Sequence, residues 1–364
     1  MAMNDRIEKP LCSMTLKNGF VFTDTHFVQK DMIVTKKQDT HCTPEIDATN
    51  HYIIPGFTDI QVNGGGGVFF NGDPSVKTLA TMVAAHQQFG TTQILPTFIT
   101  DETDRMVTAL QAAKQAAGTV PGIAGIHLEG PFLNPEKKGT HQSRFIRPLT
   151  EQDVQLILEN RPDITLMTLA PEMIENFNLI RQLIDNKVKI SIGHSLCPAN
   201  TLETALAEGI DCLTHLYNAM DKQGDLITAA HTQKDLWFSM IVDGEHVPYG
   251  MVKETYDKSK VAGSHMMLAS DAMAFPGSDI TEIHHHGLRI YLNDQNVPVS
   301  DGARLAGSNL TQLQGLQNCV RHCGIPLEEA VQMASTHPAN YLGLPPRGWV
   351  MLDKDLNLVD SAAA

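Results

Sequence analysis

The chain is short of positive charge: 27 Lys and Arg face 41 Asp and Glu over 364 residues, a formal net charge of −14. A protein that grips a phosphate backbone needs clustered basic side chains, so nucleic acid is excluded as a partner. No apolar run approaches the roughly 20 residues a helix needs to cross a bilayer, so no membrane span is expected. The stretch Met1 to Pro10 is charged and lacks an apolar centre, which argues against a signal peptide. Cysteine is scarce and scattered: Cys12, Cys42, Cys197, Cys212, Cys319 and Cys323 form no C-x-x-C pair. Reduced thiols and a cytoplasmic location are the expectation.

What remains is the composition of a folded globular protein, 42% hydrophobic and 19% charged, with an unusual 16 His. The length suits one large α/β barrel or two medium domains. Met14–Lys17, Gly19–Thr23 and Asp31–Thr35 alternate apolar and polar residues between turn residues, as short strands do. From Ile53 onward, short apolar runs alternate with helical stretches. The runs are Ile53–Val62, Thr92–Phe98, Ile123–Leu128, Ile164–Leu169, Val188–Ile192, Asp211–His215, Phe238–Val242 and His265–Ser270. Helical patterns cover Ser75–Phe89, Glu102–Ala117, Ile174–Asn186 and Thr201–Glu208. About eight β–α units over this span predict an α/β fold, a (β/α)8 TIM-like barrel. A doubly wound open sheet is the alternative. Two helices, Asn309–Cys323 and Leu327–Leu342, follow, and the tail Val350–Val359 alternates again. The expected division is residues 1–52 and 345–364 in a small β-sandwich-type domain, with residues 53–344 as the barrel.

Four chemically capable residues fall at strand C-termini: Glu129 after the third strand, His194 after the fifth, His215 closing the sixth and Asp271 closing the eighth. In a barrel these ends converge on one face, where active sites lie. One carboxylate with two imidazoles is a catalytic zinc set that leaves a position open for water. Bound zinc lowers that water's pKa toward about 7, and Asp271 is placed to move its proton. An open sheet would leave the four placements as coincidence.

Gly125-Ile-His-Leu-Glu-Gly-Pro-Phe-Leu133 with Lys138-Gly-Thr-His141 resembles the N-acetylglucosamine-6-phosphate deacetylase family of the amidohydrolase superfamily. So do Ile192-Gly-His-Ser195, Thr214-His-Leu-Tyr-Asn-Ala-Met220, Val242–Val247, Ser270-Asp-Ala272 and Leu305-Ala-Gly-Ser308, in family order. The resemblance implies release of acetate from an N-acetylated amino-sugar phosphate, with one divalent metal per subunit. Zn2+ is favoured, and Fe2+, Co2+ and Mn2+ suit similar ligands. It implies that Glu129, His194 and His215 bind the metal, Asp271 is the acid/base and His141 polarises the acetyl carbonyl. Thr140, Asn218, Ala219, Leu305, Ala306 and Gly307 match positions lining the sugar site. His246 matches a phosphate contact that comes from the neighbouring subunit, which implies a homodimer.

Two departures stand out. Where many amidohydrolases carry a His-x-His metal pair on the first strand, this chain has Gln61 and Asn63, which favours a single metal and suggests that Gln61 holds water or substrate. The loop Asp221–Asp225 lacks the family's phosphate-gripping Arg, leaving Lys222 as a point charge without the guanidinium fork. This keeps N-acetylgalactosamine 6-phosphate, an unphosphorylated N-acetyl sugar or an N-acyl amino acid open as substrates, and a non-catalytic sugar-phosphate-binding regulator as the rival of another class. Gly64–Gly67 lacks the P-loop Lys and reads as a close-approach loop. His284-His-His286 reads as a solvated turn, and His231 and Trp237 as packing.

Overall fold

The computed structural model describes residues 11–37, 44–302 and 304–363. The stretch Met1–Pro10 and Cys42 lie outside them. The barrel is one sheet of eight strands, each paired in parallel with the next. They are β1 (Phe57–Val62), β2 (Thr91–Ile99), β3 (Ile126–Glu129), β4 (Thr165–Leu169), β5 (Val188–Ile192), β6 (Cys212–Leu213), β7 (Trp237–Met240) and β8 (His265–Leu268). Nearly every residue of these strands is buried, as continuous apolar runs require when both faces are covered.

The ring closes between β1 and β8 just beyond their ends. Val62 bridges Ala272 in parallel, the Asp271 N–H donates to the Gln61 carbonyl at 3.0 Å, and the Asn63 N–H donates to the Ala272 carbonyl at 2.8 Å. Below this bridge a side chain completes the seam. Gln312, buried in helix Gln312–Arg321, donates to the carbonyls of Thr58 in β1 and Leu268 in β8 at 3.3 and 3.0 Å.

Helices form where the spacing places them, with ends fixed by capping. Val76–Gln87 is capped by Ser75, whose hydroxyl accepts from the Thr78 N–H. Gln312–Arg321 opens on a capping box between Thr311 and Gln314. The expected helix Ile174–Asn186 is shorter, Asn178–Asp185, after a 3-10 turn at Pro171–Met173. The expected single helix Leu327–Leu342 is continuous but widens to a π turn over Gln332–Thr336. Pro338 has no N–H for the carbonyl four residues back, which relaxes the ladder there. Helices Glu151–Asn160, Asp225–Thr232 and Tyr249–Ala262 supply barrel crossovers that the periodicity had not singled out.

The small domain is a six-stranded sheet that folds back on itself, with Trp349 Nε1 donating to the Thr35 carbonyl at 3.2 Å and Lys36 pairing with Asp360. Leu11–Thr23 pairs with His26–Lys37, and Tyr52–Pro55 joins Trp349–Leu352 and Leu358–Ala362 from the C-terminus. Tyr52–Pro55 thus belongs with this sheet, and β1 begins at Phe57. A separate core of Met14, Leu16, Val21, Val34, Ile53, Trp349 and Met351 holds it together. Cys12 is disulfide-bonded, against the expectation of reduced thiols throughout, while Cys197, Cys212, Cys319 and Cys323 are free and buried in the barrel.

After β8 the chain leaves the barrel as an antiparallel sheet: β9 (Glu282–His285), β10 (Leu288–Leu292), β11 (Pro298–Ser300) and β12 (Arg304–Leu305). It returns through a bridge between Ala272 and Ser308. Among the described residues no helix is long and apolar enough to cross a membrane.

The seam yields a prediction. Gln312→Leu leaves two buried carbonyls without their donor, which should destabilise the fold by about 1–3 kcal/mol. The shift in urea midpoint measures it, and an unchanged midpoint would show that the backbone bridge alone closes the barrel.

Candidate active site

The C-terminal ends of the strands open on a cavity of about 380 Å³. Glu129 enters it as the last residue of β3, His194 from the turn after β5, His215 from the turn after β6 and Asp271 from the turn after β8. Three of these four sit at positive φ: His194 at 50°, His215 at 32° and Asp271 at 51°, joined by Tyr217 at 73° and Ala219 at 49°. A side chain with a Cβ rarely adopts this conformation. Such strain persists where the flanking strands over-determine it, and it clusters at functional sites.

Glu129 Oε1 lies 3.1 Å from His194 Nε2 and 2.8 Å from His215 Nε2, and the two imidazole nitrogens are 3.2 Å apart. A tetrahedral ion with bonds of about 2.0–2.1 Å needs ligand atoms about 3.3 Å from one another, so the trio fits one. His194 is prepared for that role. Its Nδ1 is 2.7 Å from the Lys137 carbonyl, which orients the ring and aims Nε2 at Glu129. Burial alone would raise Glu129, yet the hydrogen bonds from His194 and His215 hold its carboxyl well below the usual range. Burial would lower His215, and Glu129 overcomes it and raises it.

Asp271 is pushed the other way. Burial, reinforced by the negative charge of Glu129, raises its carboxyl to about 6. Its Oδ1 accepts from Asn63 Nδ2 at 2.6 Å and from Gln61 Nε2 at 3.3 Å. His141 is buried beside His194, with ring centroids 4.4 Å apart, and burial drives its pKa down to about 3, so it is neutral. Its Nδ1 meets the Thr100 hydroxyl at 2.8 Å.

Thr140, His141, Asn218, Ala219, Lys222, His246, Leu305 and Gly307 line the cavity. Two expected substrate contacts do not. Ala306 is buried in the packing behind the wall. Gln61 lies beneath the floor, fully buried, where its amide donates to Glu129 Oε1 at 3.1 Å and to Asp271; it positions two carboxylates. His246 lines the cavity of its own chain. The loop after β7 carries it there, and Asp243 anchors its Nδ1 at 2.7 Å.

His284–His286 is also corrected. Glu282–His285 is a strand, and His285 at its end and His286 just beyond turn onto Asp101 after β2: His286 Nε2 is 2.7 Å from one carboxylate oxygen and His285 Nε2 3.4 Å from the other. Asp101 also takes Arg105 at 3.1 Å and the Glu102 N–H at 2.8 Å, so its oxygens are occupied. The contact fastens the antiparallel sheet to the barrel, and His285 faces the cavity. Sequence reasoning also missed Thr100, Lys137 and the apolar lining. Thr100 alone carried a signal, its place at a strand end.

An eight-stranded parallel barrel with a carboxylate, two imidazoles and a separate aspartate at its mouth defines a metal-dependent hydrolase. The chain belongs to the amidohydrolase family, whose model matches residues 52–355. It is 36% identical over 327 residues to the N-acetylgalactosamine-6-phosphate deacetylase of Shewanella sp. (strain ANA-3), covering 86% of this chain and 82% of that one. It is 32% identical over 323 residues to the N-acetylglucosamine-6-phosphate deacetylase of Haemophilus influenzae, covering 86% and 83%. The crystal structure of N-acetylglucosamine-6-phosphate deacetylase from Pasteurella multocida superposes with a TM-score of 0.86 at 27% identity, covering 96% and 98%.

The ligand trio is testable without an activity. Glu129→Ala should cut the divalent metal in the purified protein from near one per chain to a small fraction, read by elemental analysis. Metal retained at the original stoichiometry would move the site elsewhere.

Proposed function

We propose that the protein hydrolyses the acetamide of N-acetyl-D-glucosamine 6-phosphate, giving glucosamine 6-phosphate and acetate. One observation carries this reading: Glu129, His194, His215, Asp271 and a neutral His141 share a cavity with Asn218, Lys137 and Lys222. A divalent metal held by Glu129, His194 and His215, zinc by the character of the donors, supplies a Lewis acid and lowers the pKa of water toward about 7. Asp271 accepts the proton of the attacking water and returns it to the departing amine nitrogen. Its raised pKa suits a group that must hold and release a proton near neutrality.

The Thr100 hydroxyl has one proton and two acceptors, His141 Nδ1 at 2.8 Å and the Glu129 carbonyl at 3.3 Å. Donation to the nearer one leaves the His141 Nε2–H to hydrogen-bond the carbonyl oxygen as negative charge develops there. Lys222, with Lys137 from the loop after β3, is the phosphate partner in place of an Arg. A second reading, N-acetylgalactosamine 6-phosphate, is favoured by the name of the 36%-identical relative. A non-catalytic regulator would have no need of Asp271 beside a complete ligand trio.

A homodimer is proposed from the resemblance of Val242–Val247 to the family's segment, with His246 as a phosphate contact. The four buried free thiols support a cytoplasmic location, and the Cys12 disulfide is the observation against it.

Asp271→Asn should lower kcat by about 10²–10⁴-fold with metal content intact. Acetate release that survives the substitution would overturn the assignment. Removing the 6-phosphate from the substrate should lower kcat/KM by about 10- to 100-fold, as loss of charge-assisted contacts does. Equal values for N-acetylglucosamine and its 6-phosphate would point to an unphosphorylated substrate, and N-acetylgalactosamine 6-phosphate measured alongside decides the sugar.

A further inference from the structure

The cavity has two unlike sides. The loop after β6 supplies Asn218, Ala219 and Lys222. Across from it, Phe69 follows β1, Ile99 ends β2, Met273 follows β8, and Leu288 and Ile290 come from β10 of the antiparallel sheet. In a closed ring of eight strands, β6 and β2 are four apart and therefore opposite. Phe69, Met273 and Ile290 are buried in a cluster separate from the barrel core, with Ile99 and Leu288 packed against it. All five also face the cavity.

The reacting carbon lies between these sides. The ligand trio projects from β3, β5 and β6, Asp271 from β8, and His141 is tied to Thr100, the residue next to Ile99. An amide whose sugar phosphate lies on the β6 side therefore directs its acyl substituent at the apolar wall. An acetyl methyl covers little of a wall built from five large side chains. We infer that the protein also hydrolyses N-acyl amino-sugar phosphates with acyl chains longer than acetyl, the chain lying on Phe69, Ile99, Met273, Leu288 and Ile290. The reaction is the same hydrolysis: the water oxygen bonds to the acyl carbon, the C–N bond breaks and the nitrogen gains the proton. The products are the longer carboxylate and the amino sugar's ammonium, with no other reactant. Each methylene placed on the wall is worth roughly a fourfold gain in binding.

The inference rests on the deacetylase reading of the site. The test measures kcat/KM of the metal-loaded enzyme for N-acetyl-, N-propionyl- and N-butyryl-glucosamine 6-phosphate by amine release. The expected result is values for the longer acyl groups no more than about tenfold below acetyl. Leu288→Ser, at a half-buried position, should then lower the butyryl-to-acetyl ratio at least threefold. Acetyl turnover with propionyl and butyryl more than tenfold weaker, or a ratio that Leu288→Ser leaves unmoved, overturns the inference and spares the deacetylase reading. No turnover of any of the three sinks both.

Discussion

A carboxylate buried at the mouth of the barrel is the constraint around which the site is arranged. Removing the Glu129 charge from water carries a penalty of several kcal/mol unless partners replace the lost hydration. Two imidazoles and the amide of Gln61 converge on it within 3.1 Å. That compensation drives neighbouring groups apart in proton affinity. Glu129 is held ionised, and its charge raises both His215 and Asp271. Asp271 receives only neutral amides from Asn63 and Gln61 and remains able to take a proton. Two carboxylates of similar intrinsic strength are thus assigned different tasks by their surroundings: one binds a cation and the other moves protons.

The same arrangement depends on where the barrel closes. β1 and β8 do not pair along their length. Their junction is made by backbone contacts at Gln61, Asn63, Asp271 and Ala272, the residues that set the acid/base apart from the ligand trio. Closing the ring and positioning Asp271 are one structural event. The left-handed backbone at Asp271, His194 and His215 turns each side chain inward at the point where its strand ends. Each such residue stores about 1–3 kcal/mol of strain, which the parallel strands on either side can hold.

The parts of this design readable from sequence were those that depend on strand order. Eight apolar runs followed by Glu129, His194, His215 and Asp271 carry their meaning in the chain itself, because a barrel brings every strand end to one face. What depended on side-chain direction was hidden. Gln61 sits on a strand whose residues are all buried, so alternation cannot say that it points beneath the floor. His284 and His285 lie on a strand only partly covered, with His286 just beyond it, and Asp101, which His285 and His286 meet, is almost two hundred residues earlier. The antiparallel sheet after β8 packs on barrel loops, not barrel strands, and so lacks the continuous apolar runs that marked the other elements. His246 was assigned by likeness to a contact between chains. Asp243, three residues before it, anchors its Nδ1 at 2.7 Å.

Charge now acts at two ranges. The −14 excess opposes an anionic ligand from a distance, yet at physiological salt fields fade within about 8 Å. Inside that range Lys137 and Lys222 face the cavity, with Glu136 beside them. A lysine ammonium attracts phosphate without fixing its orientation, unlike the planar fork of an arginine. Orientation must then come from the reacting end, from His141 held by Thr100, Asp271 held by Asn63, and the trio around Glu129. Each of these groups is hydrogen-bonded and all but the half-buried Asp271 are buried, whereas Lys222 is exposed. The rigid contacts therefore surround the bond that breaks, and the adaptable ones surround the phosphate.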